Sequence, residues 1–433
     1  MDTVSISILC VCALFVMMAI GAPVFVSLGV SSIVGILLLQ GFDALSAVPG
    51  VMYDRMASFT LVAVPLFILM GEIIFVSGLG GDIYRAIRIS LYRIRGSLAV
   101  ASVFACAVFG AMCGVSIAGA ATIGKFAIPE MLKAGYDKRI ATGVIASAGS
   151  LALLIPPSVG LILYGLVAGE SVGYLFIAGV IPGIIIALMM MIYLLILGWF
   201  KPHLMPSVTL DELEVQGQEN PWIVTIPALL LVFAVLGSIY FGIATPSESA
   251  AIGCLGALAI AAYKRMLSFE NIAKIIEDTT RTTGMILAIL SSALVFGYLL
   301  TRLRVPQELV GWIVEQGFHQ YSVLVAIFIL LIVMGMFMDV ISVILIATPL
   351  LLPIIKTFNY DPIWFGIVMA ICCEMAVITP PVGLNLFVIQ GISPGNTSLM
   401  TVAEGAFPFF LILVAAVVLF TVFPGLVLWL PFG

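Results

Sequence analysis

Two consecutive prolines interrupt an apolar segment of the chain at Pro156-Pro157, and a second pair interrupts another segment at Pro380-Pro381. The two pairs lie 224 residues apart, which is about half of the 433-residue chain. A proline inside a helix removes a backbone hydrogen bond and clashes with the preceding turn, at a cost of about 3 kcal/mol or more. In lipid the freed carbonyl groups find no water, so such a break survives only where protein covers it or where it lines a cavity. The matched breaks therefore predict two broken helices near the centre of the molecule.

Composition identifies the class of protein. The chain is 63% hydrophobic and only 9% charged, whereas soluble proteins average about 25% charged residues. Its mean hydropathy of +1.28 is typical of a polytopic membrane protein. The first apolar segment, Val4–Ile20, follows Asp2 and no Lys or Arg, so we interpret it as a permanent span and not as a cleaved signal peptide.

Apolar runs of about 20 residues predict the membrane spans. The predicted spans are Val4–Ile20, Val24–Gln40, Phe59–Ser77, Thr142–Ala168, Val172–Phe200, Trp222–Phe241, Ser249–Tyr263, Thr282–Leu300, Ile363–Gln390 and Phe407–Leu430. Two further apolar regions, Ser97–Met131 and Ser322–Lys356, are interrupted by small or polar residues at Gly110–Gly119 and at Gly335–Ser342. Each half of these two regions is too short to span, which predicts two re-entrant helical hairpins.

The two halves of the sequence are related by an offset of 223 to 224 residues. Besides the double prolines, Pro129 and Pro353 share this offset, as do Pro23 and Pro246. An amphipathic arm at Asp82–Arg95 has its counterpart at Val305–Phe318. These matches predict an internal duplication. The hydrophilic linker Lys201–Asn220 joins the halves and contains Asp211, Glu212, Glu214 and Glu219.

The distribution of Lys and Arg predicts the orientation, because cytoplasmic loops carry an excess of basic residues. With each hairpin returning to its own side, twelve basic residues fall inside and four, Arg55, Arg302, Arg304 and Lys356, fall outside. Lys125 lies within the first hairpin. This arrangement predicts that the repeats are inverted and that both termini are periplasmic. The residues inside are Arg85, Arg88, Arg93, Arg95, Lys133, Lys138, Arg139, Lys201, Lys264, Arg265, Lys274 and Arg281.

The predicted hairpin tips and breaks carry neutral oxygens and one carboxylate. The N-terminal N–H groups of a broken helix favour an anion, and unwound carbonyl groups suit a hard cation such as sodium. Asp339 is the carboxylate; a charge in hydrocarbon costs about 2.5–3.5 kcal/mol, which favours an ion site. Asp339 could equally cap the return helix of its hairpin, and both roles are compatible. The neutral oxygens belong to Ser116, Ser150, Ser158, Ser342, Thr379 and Asn385.

Four other charged residues lie in apolar surroundings. Lys125 is interpreted as a snorkelling lysine, with neutralisation of an anionic substrate as the alternative. Glu374, six residues before the second break, is expected to face the same cavity as that break. Glu72 is expected to pair with a neighbouring helix or subunit, and Glu248, in Thr245–Glu248, to cap a helix.

Catalysis is not expected of this chain. Its seven cysteines lie in apolar stretches without zinc-type spacing, and its two histidines, His203 and His319, lie outside the spans. An intramembrane enzyme needs a nucleophile–base pair or a metal cluster at membrane depth, and the sequence offers neither. A channel is also disfavoured, because no repeated filter-like motif is present.

The motifs together resemble the large membrane subunit of the tripartite ATP-independent periplasmic (TRAP) transporters. The resemblance covers essentially the whole chain, with the motifs in the expected order. The matching segments are Gly110–Met131, Lys133–Tyr136, Ser150–Gly165, Ile243–Ala250, Gly335–Pro353 and Ile378–Gly383.

This resemblance implies a fold class and a function. The fold would be an all-α polytopic membrane protein, an inverted-repeat elevator-type transporter with two re-entrant hairpins and two proline-broken helices. The function would be sodium-coupled import of an organic acid, of the C4-dicarboxylate or sialic acid type, across the bacterial inner membrane. Its implied partners are a small membrane subunit (Q type) and a periplasmic substrate-binding protein (P type), with no nucleic acid. The rival interpretation is a stand-alone ion-coupled anion transporter of similar architecture.

The resemblance also implies two domains. Residues 1–95 and 222–319 would form the scaffold, each with an arm helix. Residues 96–200 and 320–433 would form the transport domain, each with a hairpin and a broken helix. Residues 201–221 would be a cytoplasmic linker.

By the same resemblance, each hairpin tip and the break of its own half hold sodium and substrate. The first tip, Cys113–Gly119, departs from the Ser/Gly/Thr-rich run common in the family, which leaves the side-chain ligands of the first ion site open. The sodium set is Gly114, Ser116, Ile155, Pro156 and Ser158 at the first site, with Phe337, Asp339, Ser342, Thr379, Pro380 and Gly383 at the second. The substrate set is Ser116, Gly119, Ser150, Pro157, Ser342, Pro381 and Asn385.

Overall fold

The computed structural model describes residues 3–207 and 220–432, which form α-helices joined by short turns. The acidic part of the predicted linker, Asp211 to Glu219, lies outside these ranges, as does Asp2. The described part of the chain is therefore an all-α protein, as the composition predicts.

The first half contains eleven helices within its described residues. They are α1 (Thr3–Ala19), α2 (Val24–Gln40), α3 (Ala47–Met56), α4 (Ala63–Val76), α5 (Leu79–Leu91), α6 (Ser97–Cys113), α7 (Ser116–Lys133), α8 (Lys138–Ala148), α9 (Leu151–Leu154), α10 (Val159–Ala168) and α11 (Val172–Phe200). Helices α6 and α7 correspond to the predicted first hairpin, and α8 to α10 to the first broken helix.

The second half repeats this pattern. It comprises α12 (Trp222–Tyr240), α13 (Pro246–Tyr263), α14 (Phe269–Arg302), α15 (Val305–Glu315), α16 (Gln320–Gly335), α17 (Val340–Thr357), α18 (Pro362–Val377), α19 (Leu384–Ile392), α20 (Leu399–Val422) and α21 (Gly425–Phe432). Helices α7 and α17 begin 224 residues apart, and so do α8 and α18. The helix boundaries thus follow the repeat found in the sequence.

The hairpin breaks are narrower than predicted. Only Gly114 and Val115 interrupt the first hairpin, whereas the sequence suggested a break over Gly110–Gly119. The small residues on either side of this turn are helical, since small side chains permit close packing without breaking a helix. In the second hairpin the break covers residues 336–339.

Two predicted spans differ most from the helices of the structure. Helix α14 begins at Phe269 instead of Thr282, because the Ser268 hydroxyl caps it by accepting a hydrogen bond from the Asn271 N–H at 3.2 Å. The segment predicted as one span over Phe407–Leu430 is two helices, α20 and α21. Its interruption falls at Pro424, since proline cannot continue the hydrogen-bond pattern of a helix.

Length divides the described helices into two groups. Six are long and apolar enough to cross a membrane, or seven if the pair bent by 42° across the first break counts as one span. Several predicted spans, α1, α2 and α18 among them, are shorter, because at 1.5 Å per residue they reach only about 25 Å of a roughly 30 Å core. Conversely, α17 was expected to be too short to span, yet its 18 residues are long and apolar enough on average to cross a membrane.

Glycines allow the closest helix packing in the molecule. A Cβ atom on Gly405 of α20 would lie 1.9 Å from the Arg139 carbonyl oxygen of α8, and one on Gly143 would lie 2.1 Å from the Gly405 carbonyl carbon. The backbones of α8 and α20 are therefore in direct contact, as in small-residue packing within bilayers.

The first arm helix is tied to its surroundings by ion pairs. Arg88 of α5 is buried and pairs with Glu130 of α7, while Asp82 of α5 pairs with Lys264, which follows α13. The predicted arm extended to Arg95, but α5 ends at Leu91. The arm is thus packed against the first hairpin.

Candidate functional site

The tip of the first hairpin is seated on the first helix break. Gly114 has a φ of +63°, and a Cβ atom there would lie 2.6 Å from the carbonyl oxygen of Pro157. The Val159 N–H donates to the Gly114 carbonyl at 3.4 Å. Only glycine meets both the left-handed backbone and the close approach. The first tip and the first break therefore meet, as the sequence predicts.

The remaining residues of the first site line this contact. Ser158 is fully buried and caps α10, because its hydroxyl accepts from the Leu161 N–H at 3.3 Å. Pro156 and Pro157 are buried and joined by a cis peptide bond, whereas Ile155 is half-buried.

Two predicted substrate residues lie on the helices that flank this contact. The hydroxyl of Ser150, between α8 and α9, donates to the Ser147 carbonyl at 2.6 Å. Gly119 of α7 lies beside the first broken helix, where an added Cβ would be 3.6 Å from that of Ala152.

At the tip of the second hairpin, Asp339 caps a helix. One of its oxygens accepts from the Ser342 N–H at 3.1 Å, and the other accepts a hydrogen bond from the Ser342 hydroxyl. The expectation that Asp339 caps the return helix is confirmed, and its role at an ion site stays a prediction. Phe337 in the same turn is 62% exposed.

The second break is open where the first is closed. Pro380 and Pro381 are exposed, and a cis peptide bond joins them as well. The Thr379 hydroxyl donates to the Met375 carbonyl at 2.6 Å. Gly383 precedes α19 with a φ of +55°, and no side chain caps that helix.

The second hairpin contacts the second broken helix just before its break in sequence. A Cβ atom on Gly335 would lie 2.6 Å from the Cβ of Ala376, which is three residues before Thr379. The second tip is thus packed beside the helix that leads into its break.

Hydrogen bonds also join the two sites in the structure. The Ser116 hydroxyl of the first hairpin donates to Glu374 Oε2 of α18 at 3.1 Å. Asn385 Nδ2 of α19 donates both to Ser116 Oγ and to the Ala146 carbonyl, each at 3.1 Å. Ser116, expected at the first ion site, therefore contacts the second broken helix. The sequence signal for these hydrogen bonds was Glu374, a carboxylate in an apolar span close to the second break.

The other charged candidates lie outside this centre. Lys125 is exposed, in keeping with a snorkelling lysine. Glu72 is half-buried on α4, where the neighbouring Gly71 packs against Cys113 of the first hairpin. Glu248 forms the predicted capping box with Thr245. Its carboxylate accepts a hydrogen bond from the Thr245 N–H, which lowers the pKa of the carboxyl group.

Comparison with known families decides the relationship. Residues 11–426 match the model of the tripartite ATP-independent periplasmic transporter, DctM component. The chain belongs to this family. It is a multi-pass membrane protein, as expected for a DctM-family permease.

Curated relatives agree over nearly the full length of the DctM-family chain. It is 35% identical to the C4-dicarboxylate TRAP transporter large permease protein DctM of Vibrio cholerae, over 96% of this chain and 95% of that protein. It is 34% identical to the protein of the same name in Pseudomonas aeruginosa, over 94% and 93%. Identity to the sialic acid TRAP transporter large permease protein SiaM of Vibrio cholerae is 29%, over 95% of each chain.

Among solved structures, the YdaH transporter of Alcanivorax borkumensis has a similar fold. The TM-score is 0.66 at 13% sequence identity, over 93% of this chain and 96% of that one. At this identity the likeness concerns the fold alone.

Proposed function

We propose that this permease imports a small organic acid together with sodium ions across the bacterial inner membrane, as the large subunit of a tripartite transporter. The observation that carries the proposal is the contact of Gly114 with Pro157, which places a hairpin tip against an interrupted helix. Such discontinuous elements form the substrate and ion sites of secondary transporters. Relatives named for C4-dicarboxylate and sialic acid support an organic acid as the substrate.

The second break supplies the anion-binding part of the proposal. Helix α19 begins at Leu384, just after Gly383, and has no side-chain cap, so its first N–H groups remain available to a carboxylate. The exposed Pro380 and Pro381 leave this helix end accessible. We place the substrate carboxylate at these N–H groups.

Oxygen atoms at the breaks supply the sodium-binding part. The carbonyls around Gly114 and Pro156, with the Ser158 hydroxyl, form the proposed first site. The Asp339 carboxylate and the Thr379 oxygens belong to the proposed second site. Hard cations prefer such oxygen ligands.

An elevator mechanism completes the proposal. The two re-entrant hairpins and two broken helices form a transport domain that slides against a scaffold of α1–α5 and α12–α15. A small membrane subunit binds the scaffold, and a periplasmic protein delivers the substrate. Delivery by a periplasmic protein is proposed because the family name describes a tripartite periplasmic system.

Uptake into proteoliposomes tests the proposal. The large subunit is reconstituted with its small membrane subunit, and a labelled C4-dicarboxylate or sialic acid is supplied with the cognate periplasmic protein. Uptake should require an inward sodium gradient and the periplasmic protein. Uptake by the large subunit alone would favour the stand-alone transporter, and uptake that is indifferent to sodium would refute the coupling.

A further inference from the structure

Glu374 is a buried carboxylate that the proposed sodium sites do not use. It lies near the end of α18 and is only 2% exposed. One oxygen, Oε2, accepts a hydrogen bond from the Ser116 hydroxyl at 3.1 Å. The other, Oε1, has no partner among the residues that the structure describes. Glu374 is also absent from the ion pairs formed within those residues.

Asn385 contacts the same hydroxyl group through its amide nitrogen and carries a second unpaired buried oxygen. The residue is fully buried, and its Nδ2 donates to Ser116 Oγ and to the Ala146 carbonyl. Its Oδ1 has no partner in the described part of the chain. The carboxylate and the amide therefore both lie within hydrogen-bond distance of Ser116.

This arrangement is costly as it stands. A buried carboxylate with one hydrogen bond from a neutral group lacks the compensation that buried charges require. An unsatisfied buried acceptor loses its hydration without a replacement hydrogen bond, and the cluster contains two such oxygens. A cation beside Glu374 and Asn385 would satisfy both oxygens and balance the charge.

We propose that Glu374, Asn385 and Ser116 bind a monovalent cation, sodium, at the junction of α7, α18 and α19. A single carboxylate balances one positive charge, which favours a monovalent ion. Oxygen ligands alone suit a hard cation, and Mg²⁺, which keeps several waters, does not suit a site this deeply buried. This site rests on the proposed function and adds an ion to those at the two breaks.

The position of the site gives the ion a specific task. Ser116 belongs to the first hairpin, whereas Glu374 and Asn385 flank the second break. An ion held by all three links elements of the two repeats. Its binding therefore couples occupancy of the first site to the geometry of the second.

Sodium titrations of uptake test this site on the complex with the small subunit, with choline keeping the ionic strength constant. Glu374→Gln preserves shape but removes the charge, and Asn385→Leu removes the amide oxygen. Each variant should raise the half-saturating sodium concentration by about tenfold or more, and Glu374→Gln should lower the sodium Hill coefficient. Glu404→Gln is the matched control, because Glu404 forms an exposed pair with Arg139 and should behave as wild type.

The wild-type complex provides an independent measurement if the variants fail to fold. Electron cryo-microscopy maps in sodium and in choline should differ by a peak between Glu374 and Asn385. A map without this peak in sodium would overturn the proposal, as would a Glu374→Gln variant with unchanged sodium affinity. Wild-type uptake that ignores sodium would instead refute the proposed function itself, so the two failures are distinguishable.

Discussion

The two proline breaks share a sequence motif but differ in their surroundings. At the first break Pro156 and Pro157 are buried, whereas at the second Pro380 and Pro381 are exposed. Glycines account for the closed state of the first break. Gly114 of the hairpin tip lies against Pro157, and Gly179 and Gly183 of α11 lie against the residues just before it.

The difference teaches that a duplicated motif need not produce duplicated environments. One break is closed by its hairpin and by α11, and the other is open on one face. In an alternating-access transporter such asymmetry is expected of a conformation with access from one side only. The predictions below either remove this asymmetry or measure it, in order of decreasing effect.

The largest effect is expected from Gly114→Ala, which pushes the first tip off its break. An alanine at φ +63° costs about 1–2 kcal/mol, and its Cβ overlaps the Pro157 carbonyl, which adds about 1–3 kcal/mol. The midpoint temperature of thermal unfolding in detergent should fall markedly, and uptake should be lost. The matched control is Gly317→Ala, where φ is +66° with nothing within 4 Å of the new Cβ. Equal shifts in the two variants would show that the contact with Pro157 is unimportant.

Replacing each pair of prolines with alanines tests the breaks themselves. Both double variants permit a continuous helix, so uptake should be abolished in each. The variant at Pro156 and Pro157 should also lose stability, because its neighbours are closely packed. For the variant at Pro380 and Pro381, the free energy of unfolding should lie within about 0.5 kcal/mol of the wild-type value, as is usual for exposed positions. Full uptake in either variant would refute the role of that break.

Asp339→Asn separates the two roles of this carboxylate at the second tip. Asparagine caps a helix about as well as aspartate, so stability should remain near that of wild type. The charge is lost, so the sodium concentration for half-maximal uptake should rise severalfold. An unchanged sodium response would leave Asp339 as a helix cap alone.

The smallest effect is expected from labelling single cysteines at the two breaks. In a background without the exposed Cys12, Pro381→Cys should react with a small polar thiosulfonate at least tenfold faster than Pro157→Cys. The loss of free thiol with time in detergent measures both rates. Similar rates would contradict the closed and open breaks of the structure.

The sequence predicted most of the helices because apolar length and proline position are local properties. Helix α2 and helix α11 begin and end at the predicted residues, and the broken helices lie where the double prolines placed them. The internal duplication was predicted for the same reason, because it is recorded in the positions of prolines. Helix caps such as Ser268 were missed, since a cap extends a helix into polar sequence that hydropathy does not recognise.

The individual hydrogen bonds between distant segments could not be predicted. The hydrogen bond from Ser116 to Glu374 joins residues 258 positions apart, and neither residue type indicates which residue it contacts. The exposure of Pro381 depends on the packing of other helices around an identical dipeptide. Residue types at the site were therefore predictable, whereas their partners required the fold.

The glycine contact between α8 and α20 has a consequence for biogenesis. Gly143 and Gly405 are 262 residues apart, and at about 5–20 residues per second the ribosome needs roughly 13–50 s to make the chain between them. During that interval the face of α8 around Gly143 lacks its partner helix α20. The first half of the protein must therefore remain in the membrane without this contact until the last tenth of the chain has been made.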